Sequence, residues 1–328
     1  MLKRNREFER LTKLTQSQMK LYVANRLRET YPSVSVKDGY VFAKGNYPVL
    51  LVAHMDTVHE HTPKKFIYEA KGNKISSPQG LGGDDRCGIY MIFQIIKDIN
   101  CSVLFVEDEE IGSVGSSKFV KSFKDELDIN YIIELDRRGS NDAVYYELDN
   151  YEFENFITES SGGHFKTAFG SFTDICILAP FFEVAAVNLS CGYYHEHHDD
   201  TYVLYSEMEK NIEKAKQIIE TKVDKPFEYK EMSRTNLESF KYGGYDWDWR
   251  WDYCEEYFVR FVDFDGKSAV NITNAVSDEE AIGKTVWDIQ TISGENIIEV
   301  GLTMETELTE NERVYYNGKE ERYADYGL

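Results

Sequence analysis

No stretch of this 328-residue chain approaches the roughly 18–20 consecutive apolar residues that a membrane-spanning helix needs. The opening residues, MLKRNREFERLTKL, lack the apolar centre of a secretory signal. Cysteine is sparse and odd in number. Cys87, Cys101, Cys176, Cys191 and Cys254 show no framework spacing, which favours reduced thiols and a cytoplasmic setting. Basic residues are outnumbered 37 to 58, and a net charge of -21 argues against nucleic-acid phosphates as partners. Neither a membrane nor a nucleic acid is therefore expected to be bound. An acidic chain can still concentrate cations.

What is present suits a packed protein. Hydrophobic residues make up 42% and aromatics 14%, enough to build cores, and the length allows one large domain with a smaller one. Up to about residue 224, short apolar runs alternate with helical patterns. The patterns predict a helix over Gln16–Tyr31, strands at Tyr40–Ala43 and Val49–Ala53, and a helix over Ile89–Ile99. They continue with a strand at Ser102–Val106, a helix at Val114–Phe123, and strands at Tyr131–Asp136, Ala143–Leu148 and Glu183–Ser190. An amphipathic helix follows, with Ser206 and Glu209 in capping-box spacing. Strands separated by helices predict an α/β fold, a mixed, mostly parallel sheet with helices on both faces.

The texture changes near Lys225. Tyr245–Tyr253 (YDWDWRWDY) alternates aromatic and charged residues with the period of a strand, and is read as one packed face more readily than as an interface. Asp265-Gly266 sits between two strand-like runs and signals a hairpin. Ser277 and Glu280 repeat the capping-box spacing, and NIIEVGLTM closes the series as a strand. Residues 225–328 carry 23 acidic and 11 basic residues, over half of the net charge. They are expected to form a separate small α+β domain, which could recruit a protein partner or build a homo-oligomer.

Five polar clusters punctuate residues 1–224, each beside an expected strand end. They are HMDTV with His54 and Asp56, GGDDR with Asp84 and Asp85, EDEEIGS with Glu107 to Glu110, ELDRRG with Asp136, and YYHEHHDD with His195, His197 and His198. In an open α/β sheet the carboxyl ends of strands form the usual ligand edge. Imidazole with carboxylate suits zinc or, less specifically, manganese, cobalt or iron. Taken singly, each cluster has a bland reading as a surface pair, a solvated acidic loop or a casual metal-binding tract. Their order carries more weight than any one of them. A His-x-Asp, a glycine-rich Asp-Asp, a Glu-Glu-x-Gly, a strand-end Asp and a late His form a conjunction that chance rarely supplies.

VLLVAHMDTV, GLGGDDRCG and VEDEEIGSVGS resemble, nearly residue for residue, the first three motifs of the co-catalytic di-zinc exopeptidases, a group that includes peptidase T, the aminoacylases and the leucyl aminopeptidases. The resemblance spans roughly Val49 to Tyr202. It implies two divalent cations, zinc first and cobalt or manganese as alternatives. It implies His54, Asp84, Glu110, Asp136 and a late His as metal ligands, with Asp84 bridging the two ions. Asp56 would orient His54, and Glu109 would face the attacking water as general base. Asp84 and Asp85 would be joined by a cis peptide, with Asp85 held by Arg86 or by backbone amides. The implied activity is hydrolysis of amide bonds in peptides, by an aminopeptidase or small-peptide exopeptidase.

Some readings stay open at this stage. His197 fits the late ligand best, with His198 next and then His195. His59 and His61 either border the site entrance or are solvated, and His164 is read as a loop residue before a pocket residue. Asp174 in GSFTDI is read as a cap for a helix start, ahead of a role behind a ligand. Asp136 to His197 is too short to hold the lid domain of many relatives, so a lidless form is expected. A deacylase or carboxypeptidase acting on N-acyl amino acids would use the same chemistry. A silent binding module would be expected to have eroded Glu109, Asp84 or Asp56, and all three are present.

Overall fold

The computed structural model describes residues 5–230 apart from 60, 71–72, 147, 171, 197 and 199. Beyond these it describes residues 255–262, 267–275, 281–282, 285, 297–302, 313–316 and 319–321. Two helices, α1 (Arg6–Leu11) and α2 (Gln16–Arg28), open the chain and lead into β1 (Ser35–Lys37), β2 (Tyr40–Ala43) and β3 (Tyr47–His54). A hairpin of β4 (Ile67–Glu69) and β5 (Lys74–Ser76) precedes α3 (Gly83–Ile95), β6 (Cys101–Val106), α4 (Val114–Ser122) and β7 (Tyr131–Arg137). Then come β8 (Asp142–Val144), α5 (Tyr151–Ser160), β9 (Lys166–Ala168), α6 (Ile175–Phe182) and β10 (Ala186–Ser190). The short β11 (Tyr193–Tyr194) and β12 (Tyr202–Leu204) feed α7 (Tyr205–Glu220).

Eight strands form one sheet in the order β1-β2-β6-β3-β7-β10-β8-β9. Its centre, β6-β3-β7-β10, is parallel, while β1, β2 and β8 run antiparallel to their inner neighbours. The strand period sorts side chains to two faces. Val49, Leu51 and Ala53 of β3 pack with Met19, Val23 and Leu27 of α2 and with Ile89 and Ile92 of α3. Leu50 and Val52 point the other way, toward Phe119 of α4 and Leu178 of α6. Helices thus cover both faces, as expected. The segment after α7 stays with this body: Phe227 is buried, its amide donates to Asn130 O, and its carbonyl accepts from Ala185 N. Among the described residues no helix is long and apolar enough to cross a membrane.

A smaller antiparallel sheet, β11-β12-β5-β4, stands beside the end of β10. Farther along the chain, β13 (Glu255–Val262), β14 (Ser268–Ala275), β15 (Ile297–Leu302), β16 (Arg313–Tyr316) and β17 (Lys319–Glu321) make a third sheet in the order β15-β13-β14-β16-β17. β13 and β14 pair antiparallel from Glu255↔Ala275 to Val262↔Ser268. Asp265-Gly266, the aromatic run Tyr245–Tyr253, and Ser277 with Glu280 lie outside the described residues.

Several boundaries differ from expectation for local reasons. α2 ends at Arg28 rather than Tyr31, because the residue before a proline, here Pro32, avoids helical geometry. α3 opens at Gly83 but is kinked at its head, where Asp84 and Asp85 leave helical φ/ψ, and it ends at Ile95 rather than Ile99. The strand expected over Ala143–Leu148 stops at Val144, since Tyr146 turns left-handed at φ 55°. Glu183, also left-handed at φ 56°, closes α6 instead of opening β10. Ser206 does not cap α7. The helix leaves β12 directly at Tyr205, and Asn73 Oδ1 accepts the Ser206 amide.

Candidate metal centre

The sheet brings the sequence clusters to one edge. His54 is the last residue of β3, Asp136 lies near the end of β7, and Asp84 heads α3, which packs on both strands. His54 Nε2 lies 2.9 Å from Asp84 Oδ1 and 3.3 Å from Asp136 Oδ1. The ligating atoms of these three residues fall within 4.8 Å of one another, a spacing that could hold a metal ion. On the far side of the ring, Nδ1 lies 3.1 Å from Asp56 Oδ1. The Asp56 carboxylate also accepts the Glu109 amide on Oδ1 at 3.1 Å and the Glu110 amide on Oδ2 at 3.0 Å. One aspartate therefore ties the histidine strand to the acidic loop after β6.

The twin aspartates are joined by a cis peptide, and both depart from helical φ/ψ. Asp84 faces His54. Asp85 is held by two backbone amides, accepting Gly88 N at 2.7 Å and His54 N at 3.3 Å. Arg86 takes no part in that. Its fully buried guanidinium donates to Met55 O at 2.9 Å, Asp56 O at 2.8 Å and Leu14 O at 3.2 Å, pinning the chain just past His54. Gly88 is required at its position, because a Cβ there would run into Leu135 O and both Asp85 oxygens.

The electrostatics match an anionic cage. Burial opposes charge on the His54 imidazole, but Asp136 and the hydrogen bonds to Asp136, Asp56 and Asp84 outweigh it and raise its proton affinity well above the ordinary value. Burial, then the charge of Asp136, lifts Asp84 to about 6 against the pull of His54. Burial would lift Asp56 too, but His54 and the amides of Glu110 and Glu109 hold it below the usual carboxylate range. Burial raises Glu109 well above that range, with Asp136 and Asp174 adding and His54 opposing. With Nδ1–H given to Asp56, Nε2 turns a lone pair toward two carboxylate oxygens. A proton or a cation must complete that convergence, so the donor set fits a divalent ion.

Other sequence candidates are distributed as follows. Glu109 and Glu110 follow β6 on the loop that Asp56 holds. His197 lies outside the described residues. His195 is left-handed at φ 57° and exposed, with Nδ1 2.9 Å from Asp200 Oδ2. His59 and His61 line a cavity of about 170 Å³ with Arg86, Thr57 and Asp56. His164 meets Asn211 Oδ1 at 2.7 Å, and Asn211 in turn donates to Ser190 O. That pairing is structural.

Four residues beside the cage lie outside the expected ligand set, although Thr173 and Asp174 fall in GSFTDI and Tyr193 in YYHEHHDD. Asp136 is supported by three of them: Asn188 Oδ1 accepts its amide at 3.0 Å, Tyr193 Oη donates to its carbonyl at 2.7 Å, and Thr173 Oγ1 donates to its Oδ2 at 3.3 Å. The fourth is Asp174. It makes no capping bond to α6, contrary to expectation, and is fully buried beside the start of α4.

No family model matches the sequence, and a search of curated proteins finds no match. Solved structures do match. A tripeptidase from Staphylococcus aureus aligns over 65% of this chain and 95% of its own, with a TM-score of 0.54 at 14% identity. The chain shares the fold of this tripeptidase. An aminopeptidase from Desulfurococcus kamchatkensis gives a TM-score of 0.53 at 15% identity over 66% and 94%. The aminopeptidase PepT from Bacillus cereus gives 0.52 at 14% over 65% and 96%. The fold shared with these peptidases is the one that the resemblance of the three sequence motifs implied.

Proposed function

We propose that the chain is a metal-dependent exopeptidase that removes amino-terminal residues from small peptides. The observation that carries this reading is the convergence of His54, Asp84 and Asp136 at the sheet edge, with Asp56 binding both His54 and the Glu109–Glu110 loop. His54, Asp84, Glu110, Asp136 and His197 would hold two divalent ions, zinc foremost. When bound, such a pair polarises the scissile carbonyl and acidifies the attacking water.

The protein's own groups do the rest. Asp56 fixes the tautomer of His54 so that Nε2 faces inward. Glu109, with a raised proton affinity, accepts the proton of the attacking water and returns it to the leaving nitrogen. Because Asp56 receives the amides of both Glu109 and Glu110, base and ligand would share one anchor.

The zinc-loaded protein should cleave aminoacyl anilides and di- or tripeptides, lose turnover on chelation, and lose it in Glu109→Ala. A panel that includes N-acyl amino acids separates an aminopeptidase from a deacylase. Full activity of Glu109→Ala, or hydrolysis of the N-acyl substrates alone, would refute the reading.

A further inference from the structure

We propose that Thr173-Asp174 is a positioning clamp that fixes the Glu109–Glu110 loop relative to Asp136. The inference rests on the exopeptidase reading for its kinetic consequence, but its geometry stands apart from it. Asp174 is 0% exposed, and neither of its carboxylate oxygens makes a hydrogen bond. The hydroxyls of Ser116 and Ser113, at the start of the packed helix α4, are likewise buried without a hydrogen bond and lie near enough to lower the proton affinity of Asp174. Buried groups of this kind satisfy one another by pairing, here by donation to the carboxylate. Ser113, left-handed at φ 50°, and Ser116 form the first turn of α4, whose side chains give it no cap of its own. A carboxylate at that place meets the positive end of a nine-residue helix. Two helix starts, of α4 and α6, are thereby joined through one buried side chain.

The start of α4 is continuous with the acidic loop. Gly112 and Ser113 amides donate to Glu109 O at 2.9 Å, Val114 N to Asp108 O at 3.0 Å, and Gly115 N to Glu107 O at 2.9 Å. Holding Ser113 and Ser116 therefore holds Glu109 and Glu110. The preceding residue reaches in the other direction, since Thr173 Oγ1 donates to Asp136 Oδ2 at 3.3 Å. Adjacent residues thus grip the two sides of the cage, the ligand strand β7 through Thr173 and the base loop through Asp174. Asp174 touches neither substrate nor metal in this scheme; it acts through α4.

The test uses the full-length, zinc-loaded protein with Asp174→Ala and Asp174→Asn. In Asp174→Ala the amides of Gly112, Ser113 and Val114 should exchange hydrogen about tenfold faster or more, while zinc content stays as in the parent. Its kcat on an aminoacyl anilide should fall about 100-fold with KM nearly unchanged, the mark of a misplaced base. Asp174→Asn keeps the shape and one hydroxyl contact, so it should recover part of both losses. If Asp174→Ala does not fold, Ser116→Ala decides, and the same exchange increase is expected there. Parental exchange and kcat in these variants would overturn the clamp, and so would loss of zinc in a folded variant. Absence of peptide hydrolysis in the parent would defeat the exopeptidase reading alone, because the exchange measurement remains readable.

Discussion

The Asp56 carboxylate lies 3.1 Å from Nδ1 of His54 while it accepts the backbone amides of Glu109 and Glu110. The aspartate in HMDTV thus fixes His54 and the Glu109–Glu110 loop together. Asp56→Asn keeps the shape but removes the charge that selects the His54 tautomer. It should lower zinc affinity about 10–100-fold, read by competition with a chromogenic chelator. Unchanged affinity would mean that His54 is oriented by its strand alone.

Gly88 lets α3 close onto β7, and any side chain there meets backbone rather than a yielding side-chain tip. Gly88→Ala should cost about 3 kcal/mol or more, the upper end for forced overpacking. Gly163 is the control. Unlike Gly88 it is left-handed, at φ 72°, and nothing lies within 4 Å of a Cβ built there, so Gly163→Ala should cost only the backbone term of about 1 kcal/mol. Denaturant unfolding of the two variants checks the contrast, and similar costs would refute the packing argument.

Burial raises Asp84 and Asp174 to about 6 from ordinary values of 3.8, with the Asp136 charge adding to Asp84. A carboxyl whose folded pKa is raised contributes stability that is complete below its unfolded pKa. That contribution fades as the pH climbs through its folded pKa. For the chelated protein the loss falls between about pH 4 and pH 6. His54, raised above 6.5, has the same sign, with its loss at higher pH. Bound metal ions reverse this, because they need the carboxylates ionised and the imidazole neutral. The gain in Tm on adding zinc to chelated protein should therefore be larger at pH 7 than at pH 5. A gain independent of pH would show that Asp84 and His54 do not hold the ions.

Much of the cage was legible in sequence because its parts sit in short contiguous motifs, with His54 and Asp56 two apart and Asp84 and Asp85 adjacent. The layered α/β order was legible for the same reason, since each central strand is one apolar run. Asn188, Tyr193 and Thr173 were not legible as supports of Asp136. They reach it from 52, 57 and 37 residues away along the chain, across strand pairings that no local pattern encodes. The start of α7 was misjudged because its first amides are met by Asn73, a residue 133 positions earlier, and not by a cap of its own. Asp174 looked like a cap because the spacing of polar residue and helix start fits one. Only the packing of α6 against α4 shows its carboxylate turned inward.

The late histidine is open to a direct experiment. His195 is committed to Asp200 on an exposed, left-handed turn, and the group of described residues that could hold a metal ion contains His54 as its only histidine. A second ion with Asp84 and Glu110 alone would lack the nitrogen donor usual for zinc. His197→Ala should therefore lower zinc content from about two ions to about one per chain and abolish turnover. His195→Ala and His198→Ala should keep both ions. Elemental analysis after dialysis against metal-free buffer reads the stoichiometry without relying on activity. Loss of an ion in His198→Ala, with His197→Ala still binding two, would move the ligand by one residue and reverse the assignment.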